Sequence, residues 1–199
     1  MSAHFNEVDS QLLVGLKQVS LAMFRKNFFG IFHGSISARL TKRDFVINTK
    51  LAVFDNLDSD HLIVLNTNRD YRWNESSMDT AIHAQIYLDH SDAKFIAYAM
   101  PPYSVSYSLL YDHLRPLDFF GKSILGEEVA IWDPKDCETW YKRAPKEISE
   151  QIIDRQFLLI KGYGVYVFDR DLHALAKKIA VIENTCKILH FQADLRGNA

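Results

Sequence analysis

The chain has 199 residues, 48% of them hydrophobic and 13% aromatic, which is enough for one domain with a large core. Its 23 basic and 25 acidic residues give a formal charge of −2, so charge supplies no case for binding nucleic acid or an anionic membrane surface. No apolar run approaches the roughly 20 residues that span a bilayer. The first residues lack the charged-then-apolar order of a secretory signal, and Cys137 and Cys186 lie far apart. We therefore expect a cytoplasmic, reduced protein with one domain over residues 1–199.

The first half of the chain combines helical and strand-like patterns. Apolar residues recur at helical spacing from Val8 to Phe29, with Asp9 or Ser10 as N-cap. Residues 77–90 are amphipathic and predict a second helix. The composition of residues 66–70 indicates a hairpin turn. Strands are predicted at 35–40, 44–48 and 62–65.

The second half continues the alternation of strands and helices. Strands are predicted at 94–99, 127–132, 157–160 and 164–168. Helices are predicted at 104–111, about 145–155 and about 171–191. Several neighbouring strands are joined by loops too short for a parallel crossover. The sequence therefore predicts a three-layer α/β/α single domain with a central mixed, mainly antiparallel sheet.

The strand at 94–99 has an uneven composition. Phe95, Tyr98 and Met100 are bulky, whereas Ala97 and Ala99 are small and stand two residues apart. In a strand, residues two apart share a face, so the two alanines leave one face almost bare. The composition of this strand raises the question of what that face was built to hold.

Five short motifs follow one another along the chain. They are Gly34-Ser35-Ile36-Ser37, Asn48-Thr49-Lys50-Leu51, Ser76-Ser77-Met78-Asp79 with His83 downstream, Ile96-Ala97-Tyr98-Ala99, and Gly162-Tyr163-Gly164. In order and spacing they resemble the class II aldolase and adducin N-terminal domain family, over roughly residues 12–191. The family includes zinc-dependent sugar-phosphate aldolases and epimerases, and the non-enzymatic head of adducin. The matching family motifs read Gly-Asn-x-Ser, Thr-Pro-Ser-Gly, Pro-Ser-Ser-Glu, Val-His-Thr-His and Asn-His-Gly.

The resemblance implies a zinc site that this sequence lacks. In active relatives, histidines would stand at Ala97, Ala99 and Tyr163 and would hold the metal. Alanine has no lone pair, and a phenol with a pKa near ~10 is a poor zinc ligand at neutral pH. We expect no metal and no cofactor. We also expect the three residues to converge near Asp79, with neighbours such as Tyr163 filling the alanines' space.

Asp79, His83 and Tyr163 are the candidate catalytic groups by resemblance. Asp79 stands at the position of the family's glutamate and is either a base or an acidic residue in a first helical turn. His83 stands four residues after Asp79, at the spacing of the family's motif, and is either a catalytic histidine or one that packs and forms hydrogen bonds. Tyr163 is a candidate proton donor.

A second set of residues is a candidate anion site. Ser35, Ser77 and Lys50 could hold an anion, whereas Leu51 and Met78 replace small residues of the family's phosphate turns. Lys50 is otherwise a surface lysine, or a Schiff-base lysine if it is desolvated.

Two functions follow from these residues. The first is a non-catalytic protein with a binding or assembly role. The second is a metal-independent lyase or isomerase that uses Asp79, His83, Tyr163 and Lys50 on a small sugar or sugar-phosphate in the old aldolase cleft. The resemblance also implies a homo-oligomer, a tetramer in the family.

Overall fold

The computed structural model describes residues 9–31 and 33–197, and the predicted helix start at Val8 lies outside them. Helix α1 begins after Asp9, whose carboxylate accepts a hydrogen bond from the amide of Gln11. Leu16, Val19 and Met23 recur at helical spacing and form its buried face. The described helices are α1 (Ser10–Arg25), α2 (Thr80–Asp89), α3 (Pro102–Leu110), α4 (Phe119–Leu125), α5 (Cys137–Gln151) and α6 (Leu172–Gly197).

The strands of the described residues form one six-stranded sheet and one two-stranded sheet. They are β1 (Ser35–Arg39), β2 (Asp44–Asn48), β3 (Leu62–Asn66), β4 (Phe95–Ala99), β5 (His113–Leu114), β6 (Val129–Ala130), β7 (Phe157–Ile160) and β8 (Gly164–Asp169). The large sheet has the order β3-β2-β1-β4-β8-β7, and each neighbouring pair is antiparallel. A parallel pairing occurs only as a bridge between Trp132 and Ile160 among the described residues. The predicted mainly antiparallel sheet is confirmed.

Helices cover both faces of the large sheet, which confirms the three layers. On one face, α1 and α6 pack on Ile36, Val46, Ala97 and Val167, in a cluster that also includes Leu16 and Ile179. On the other face, α2 and α5 pack on Phe45, Ile96, Tyr98 and Phe168, in a cluster that also includes Ile86 and Ile148. We call these the α1–α6 face and the α2–α5 face. None of the helices among residues 9–31 and 33–197 is long and apolar enough to cross a membrane.

Two predicted elements are wrong, and side-chain caps explain both. Helix α5 begins at Cys137 rather than near Pro145, because the carboxylate of Asp136 accepts hydrogen bonds from the first helical amides. Residues 66–70 are not a hairpin turn, because Asp70 caps a 3₁₀ helix at Tyr71–Glu75 instead of leading into a strand. The chain also has 3₁₀ helices at 54–56 and 59–61, and α4 and β5, which the sequence did not predict.

Arg39 fixes the end of α2, the helix that carries Asp79 and His83 at its start. Its guanidinium donates hydrogen bonds to the carbonyls of Tyr87, His90 and Ala93 at 2.7–2.8 Å. These carbonyls lie at or beyond the last turn of α2, where a helix leaves its acceptors without partners.

Replacing Arg39 should therefore destabilise the fold. We expect Arg39→Met to lower the free energy of unfolding by about 3 kcal/mol, because a charged donor is removed and partly buried carbonyls lose their partner. Urea unfolding measures the loss, and the exposed neighbour Lys42→Met is the matched control. An equal effect of both variants would contradict the capping role.

Candidate functional site

The two alanines of β4 do not face the predicted site. Successive side chains of a strand point to opposite faces, and Ala97 and Ala99 lie in the α1–α6 cluster beside Val167 and Val165. Tyr98 lies on the α2–α5 face beside Tyr166. The expectation that Ala97, Ala99 and Tyr163 converge is wrong. The bare face instead makes room for α6, which contacts β4 directly.

A cleft of about 490 Å³ opens beside the end of β4. The residues of β4 and its extension that line it are Tyr98 and Met100, and Tyr163 lines it from the β7–β8 turn. Two ligands placed two residues apart and facing Asp79 would therefore stand at 98 and 100, one residue later than the motif comparison indicated. A larger hollow of about 740 Å³ lies between α1 and β2–β3, and its lining includes none of the predicted site residues.

Stacked aromatic rings fill the place where a metal site was expected. The ring of Tyr98 lies 4.7 Å from that of Tyr163 and 4.8 Å from that of Tyr166, centroid to centroid. The hydroxyl of Tyr98 donates to the carbonyl of Tyr163 at 2.9 Å. Trp140 packs edge-on against Tyr163 at 4.6 Å, and the hydroxyls of Tyr141 and Tyr163 are 3.1 Å apart. Tyr163 thus fills space as expected, but against Tyr98 and not against the alanines.

Asp79 lies at the bottom of this cleft, just before α2. It is 6% exposed, and its carboxyl accepts a hydrogen bond from the hydroxyl of Tyr166 at 2.7 Å. Burial raises the pKa of the Asp79 carboxyl, and hydrogen bonds with the hydroxyls of Tyr166 and Ser35 oppose that shift. The protonated form can donate a hydrogen bond to a group in the cleft.

His83 lies beneath the cleft and does not line it. Its ring nitrogens are 2.9 Å from the hydroxyl of Ser35 and 2.7 Å from that of Ser37, and Ser37 continues to the hydroxyl of Tyr87. Burial lowers the pKa of His83 to about 3, so the ring is neutral at pH 7. This geometry supports the packing and hydrogen-bonding interpretation of His83.

The three residues predicted for an anion site are only partly together. Lys50 and Ser77 line the cleft, whereas Ser35 is fully buried against His83. The ammonium of Lys50 donates to the carbonyl of Asn74 at 2.9 Å and lies 3.3 Å from the carboxylate of Glu75. Its side chain is 44% exposed, so Lys50 does not meet the desolvation condition for a Schiff-base lysine.

Three backbone amides beside these residues are not available to a phosphate. The amides of Thr49, Lys50 and Ser77 donate to the carbonyls of His61, Glu75 and Asn48, at 2.8–3.0 Å. A phosphate cradle needs amides that point free into the site. These three amides are already engaged inside the protein.

The side chains where the metal ligands were expected do not fit zinc. Tyr98, Met100 and Tyr163 supply two phenols and a thioether there, and the rest of the lining includes one imidazole, that of His33, and the carboxyl of Asp79. Zinc sites in proteins are built from imidazoles, thiolates and carboxylates. Across residues 9–31 and 33–197, no group of three or more His, Cys, Asp or Glu side chains is arranged to hold a metal.

Sequence reasoning missed Tyr98, Met100, Tyr141 and Tyr166 as site residues. The bulk of Tyr98 and Met100 was a usable signal, since they alternate with the alanines. Tyr166 follows Tyr163 along the same hairpin. No feature of the sequence marked Tyr141 as a site residue, because it belongs to the part of α5 that was not predicted.

Comparison with known proteins agrees with this fold. The model of the Class II Aldolase and Adducin N-terminal domain matches residues 15–190. Among solved structures, L-fuculose-1-phosphate aldolase from Thermus thermophilus is similar with a TM-score of 0.86 and 21% identity, over 96% of this chain and 98% of that one. YgbL from Escherichia coli is similar with a TM-score of 0.78 and 18% identity, over 91% and 89%. No protein with a curated description matches the sequence.

Proposed function

This chain belongs to the class II aldolase and adducin N-terminal domain family, and from that premise we propose that it is a non-catalytic member with a binding or assembly role. The composition of the cleft supports this most. Tyr98, Met100 and Tyr163 occupy the wall above Asp79, and none of the three is a side chain that zinc takes as ligand.

The cleft has no free lysine to stabilise negative charge, and the other basic side chain in its lining is the imidazole of His33. A buried carboxyl with a raised pKa is a suitable general base, so the presence of Asp79 is compatible with catalysis. Proton abstraction beside a carbonyl develops negative charge on oxygen, which needs a preorganised cation or donor pair. Lys50 is the lysine that lines the cleft, and its ammonium is held by Asn74 and Glu75.

The alternative is a metal-independent lyase or isomerase acting on a small sugar or sugar-phosphate. It is supported by one observation: Asp79 and Tyr163 line the same open cleft, as a base and an acid should. Against it, burial and the charge of Asp79 raise the pKa of Tyr163, which makes the phenol a weaker acid.

Turnover assays separate the two proposals. Purified protein is incubated with a panel of phosphorylated ketoses, with and without zinc, manganese or cobalt, and aldehyde release is followed. We expect no release. Metal-stimulated release would overturn the non-catalytic proposal. Metal-independent release that is lost in Asp79→Asn or Tyr163→Phe would establish the alternative.

A homo-oligomer is the second part of the proposal. Two adjacent phenylalanines of α4, Phe119 and Phe120, are 78% and 60% exposed, and their rings contact each other at 5.6 Å. Adjacent exposed aromatic residues are typical of subunit interfaces. The tetramer of the family is the assembly that we propose.

Removing these two rings should weaken the assembly. We expect Phe119→Ser combined with Phe120→Ser to reduce the mass at micromolar concentration to that of the 23.0 kDa chain, measured by light scattering. Tyr71→Ser, at a site 82% exposed on a different element, should leave the mass unchanged. A wild-type protein that is already monomeric would refute the oligomer.

A cytoplasmic location also stays a proposal. Its support is the free, buried thiol of Cys186 in α6, since proteins of oxidising compartments commonly pair their cysteines.

A further inference from the structure

We propose that the cleft beside the end of β4 binds a small uncharged ligand with a flat apolar body and a carbonyl oxygen, rather than a phosphorylated sugar. This inference rests on the proposed function, because it assigns a ligand class to a cleft that we take to bind without turnover. It is carried by the charges, walls and hydrogen-bonding groups of the cleft.

The charges of the cleft disfavour an anion. The ammonium of Lys50 already contacts the carbonyl of Asn74 and the carboxylate of Glu75. The amides of Thr49, Lys50 and Ser77 donate inside the protein. A phosphate entering the cleft would lose its hydration without gaining these donors in return.

The walls of the cleft suit a flat apolar body. Phe54, Met78, Met100, Tyr98 and Tyr163 line a space of about 490 Å³, within the range of ~300–1,000 Å³ that small-molecule sites occupy. Methionine side chains adapt to irregular ligands and make favourable contacts with aromatic rings. The larger part of such a ligand would therefore be buried against rings and thioethers.

The polar groups at the bottom of the cleft favour a hydrogen-bond acceptor. The carboxyl of Asp79 accepts from the hydroxyl of Tyr166 and also hydrogen-bonds to the hydroxyl of Ser35. A carboxyl has about four acceptor sites and, when protonated, one donor, so it can still form a hydrogen bond to a ligand. The hydroxyl of Ser77 accepts from the amide of Asp79 at 3.3 Å and keeps its own proton to donate. Burial raises the pKa of Asp79 and so favours its protonated form, in which the carboxyl as well as the Ser77 hydroxyl can donate to a carbonyl oxygen.

A series of probes with one shape and different charges tests this. The full chain is titrated with benzamide, benzoate, benzylamine and phenyl phosphate, and binding is measured by isothermal titration calorimetry at pH 7. We expect benzamide to bind at least tenfold more tightly than the three charged probes. Asp79→Asn, which keeps a donor, should hold the benzamide affinity within about threefold, whereas Asp79→Leu should lose at least tenfold. Gln11→Ala, in the larger hollow near α1, should leave it unchanged.

Several results would overturn the inference. Preferential binding of benzoate or phenyl phosphate would show a functional anion site, and preferential binding of benzylamine would show an ionised Asp79. Absence of binding by all four probes, or equal affinity in Asp79→Leu and Asp79→Asn, would show that the cleft does not select this class. None of these results bears on turnover, which the aldehyde-release assay decides separately for the proposed function.

Discussion

Histidines introduced at Ala97 and Ala99 should disrupt the fold rather than rebuild a metal site. Both side chains are fully buried on the face of β4 that packs against α6, within an apolar cluster that an imidazole would overfill. Overpacking costs about 1–3 kcal/mol and an unpaired buried polar group a similar amount. We expect each single substitution to lower the free energy of unfolding by about 3–5 kcal/mol, measured by urea denaturation, and the double variant to fail to fold.

The matched variant places histidines on the opposite face of the same strand. Tyr98→His, Met100→His and Tyr163→His all replace residues that line the cleft, so the triple variant should remain folded. Together with Asp79 it offers three imidazoles and a carboxyl, which is a suitable zinc donor set. We expect about one zinc per chain by elemental analysis and a tetrahedral cobalt absorption spectrum, both absent in wild type. A folded Ala97→His/Ala99→His/Tyr163→His variant that binds zinc would contradict the observed register.

This register could not be fixed from the sequence alone. A shift of one residue moves a side chain to the other face of a strand, and a motif comparison at low identity tolerates such a shift. Small residues are ambiguous as well, because they mark either a lost side chain or the close approach of another element. In β4 the second explanation holds, since α6 lies against Ala97 and Ala99. The residues that stand where the metal ligands were expected are Tyr98 and Met100, and their bulky side chains line the cleft.

The fold itself was predictable because its signals are redundant. The strands at 35–39, 44–48 and 157–160 each combine a β-rich pattern with nearby turn residues, and the predicted boundaries agree within a residue. The start of α5 was not predictable from Pro145, which suits a first helical turn but lies inside the helix here. The missed turns carry Trp140 and Tyr141, which pack on Tyr163, so the error in the helix hid part of the site.

His83 and Asp79 should give the stability of the protein two opposite dependences on pH. The pKa of His83 is lowered to about 3, so the folded state excludes a proton that the unfolded histidine takes up below about 6.5. The contribution of His83 to the free energy of unfolding is fully present above about pH 6.5 and is about 3 kcal/mol smaller at about pH 4. The pKa of Asp79 is raised, so the folded state keeps a proton that the unfolded chain loses above about 3.9. Stability from Asp79 therefore decreases as pH rises from about 4 toward its raised pKa.

Two variants separate these contributions in urea unfolding between pH 4 and pH 8. The stability difference between wild type and His83→Gln should grow by about 3 kcal/mol from pH 4 to pH 6.5, because glutamine does not titrate. Asp79→Asn should gain stability relative to wild type as pH rises, because asparagine can still accept from Tyr166 and avoids a buried charge. Asn68→Ala, an exposed position without a titrating group, should give a constant difference. A His83→Gln difference that stays flat would mean that the histidine is charged or solvated in the folded protein. That result would contradict the packing interpretation of a neutral histidine held between Ser35 and Ser37.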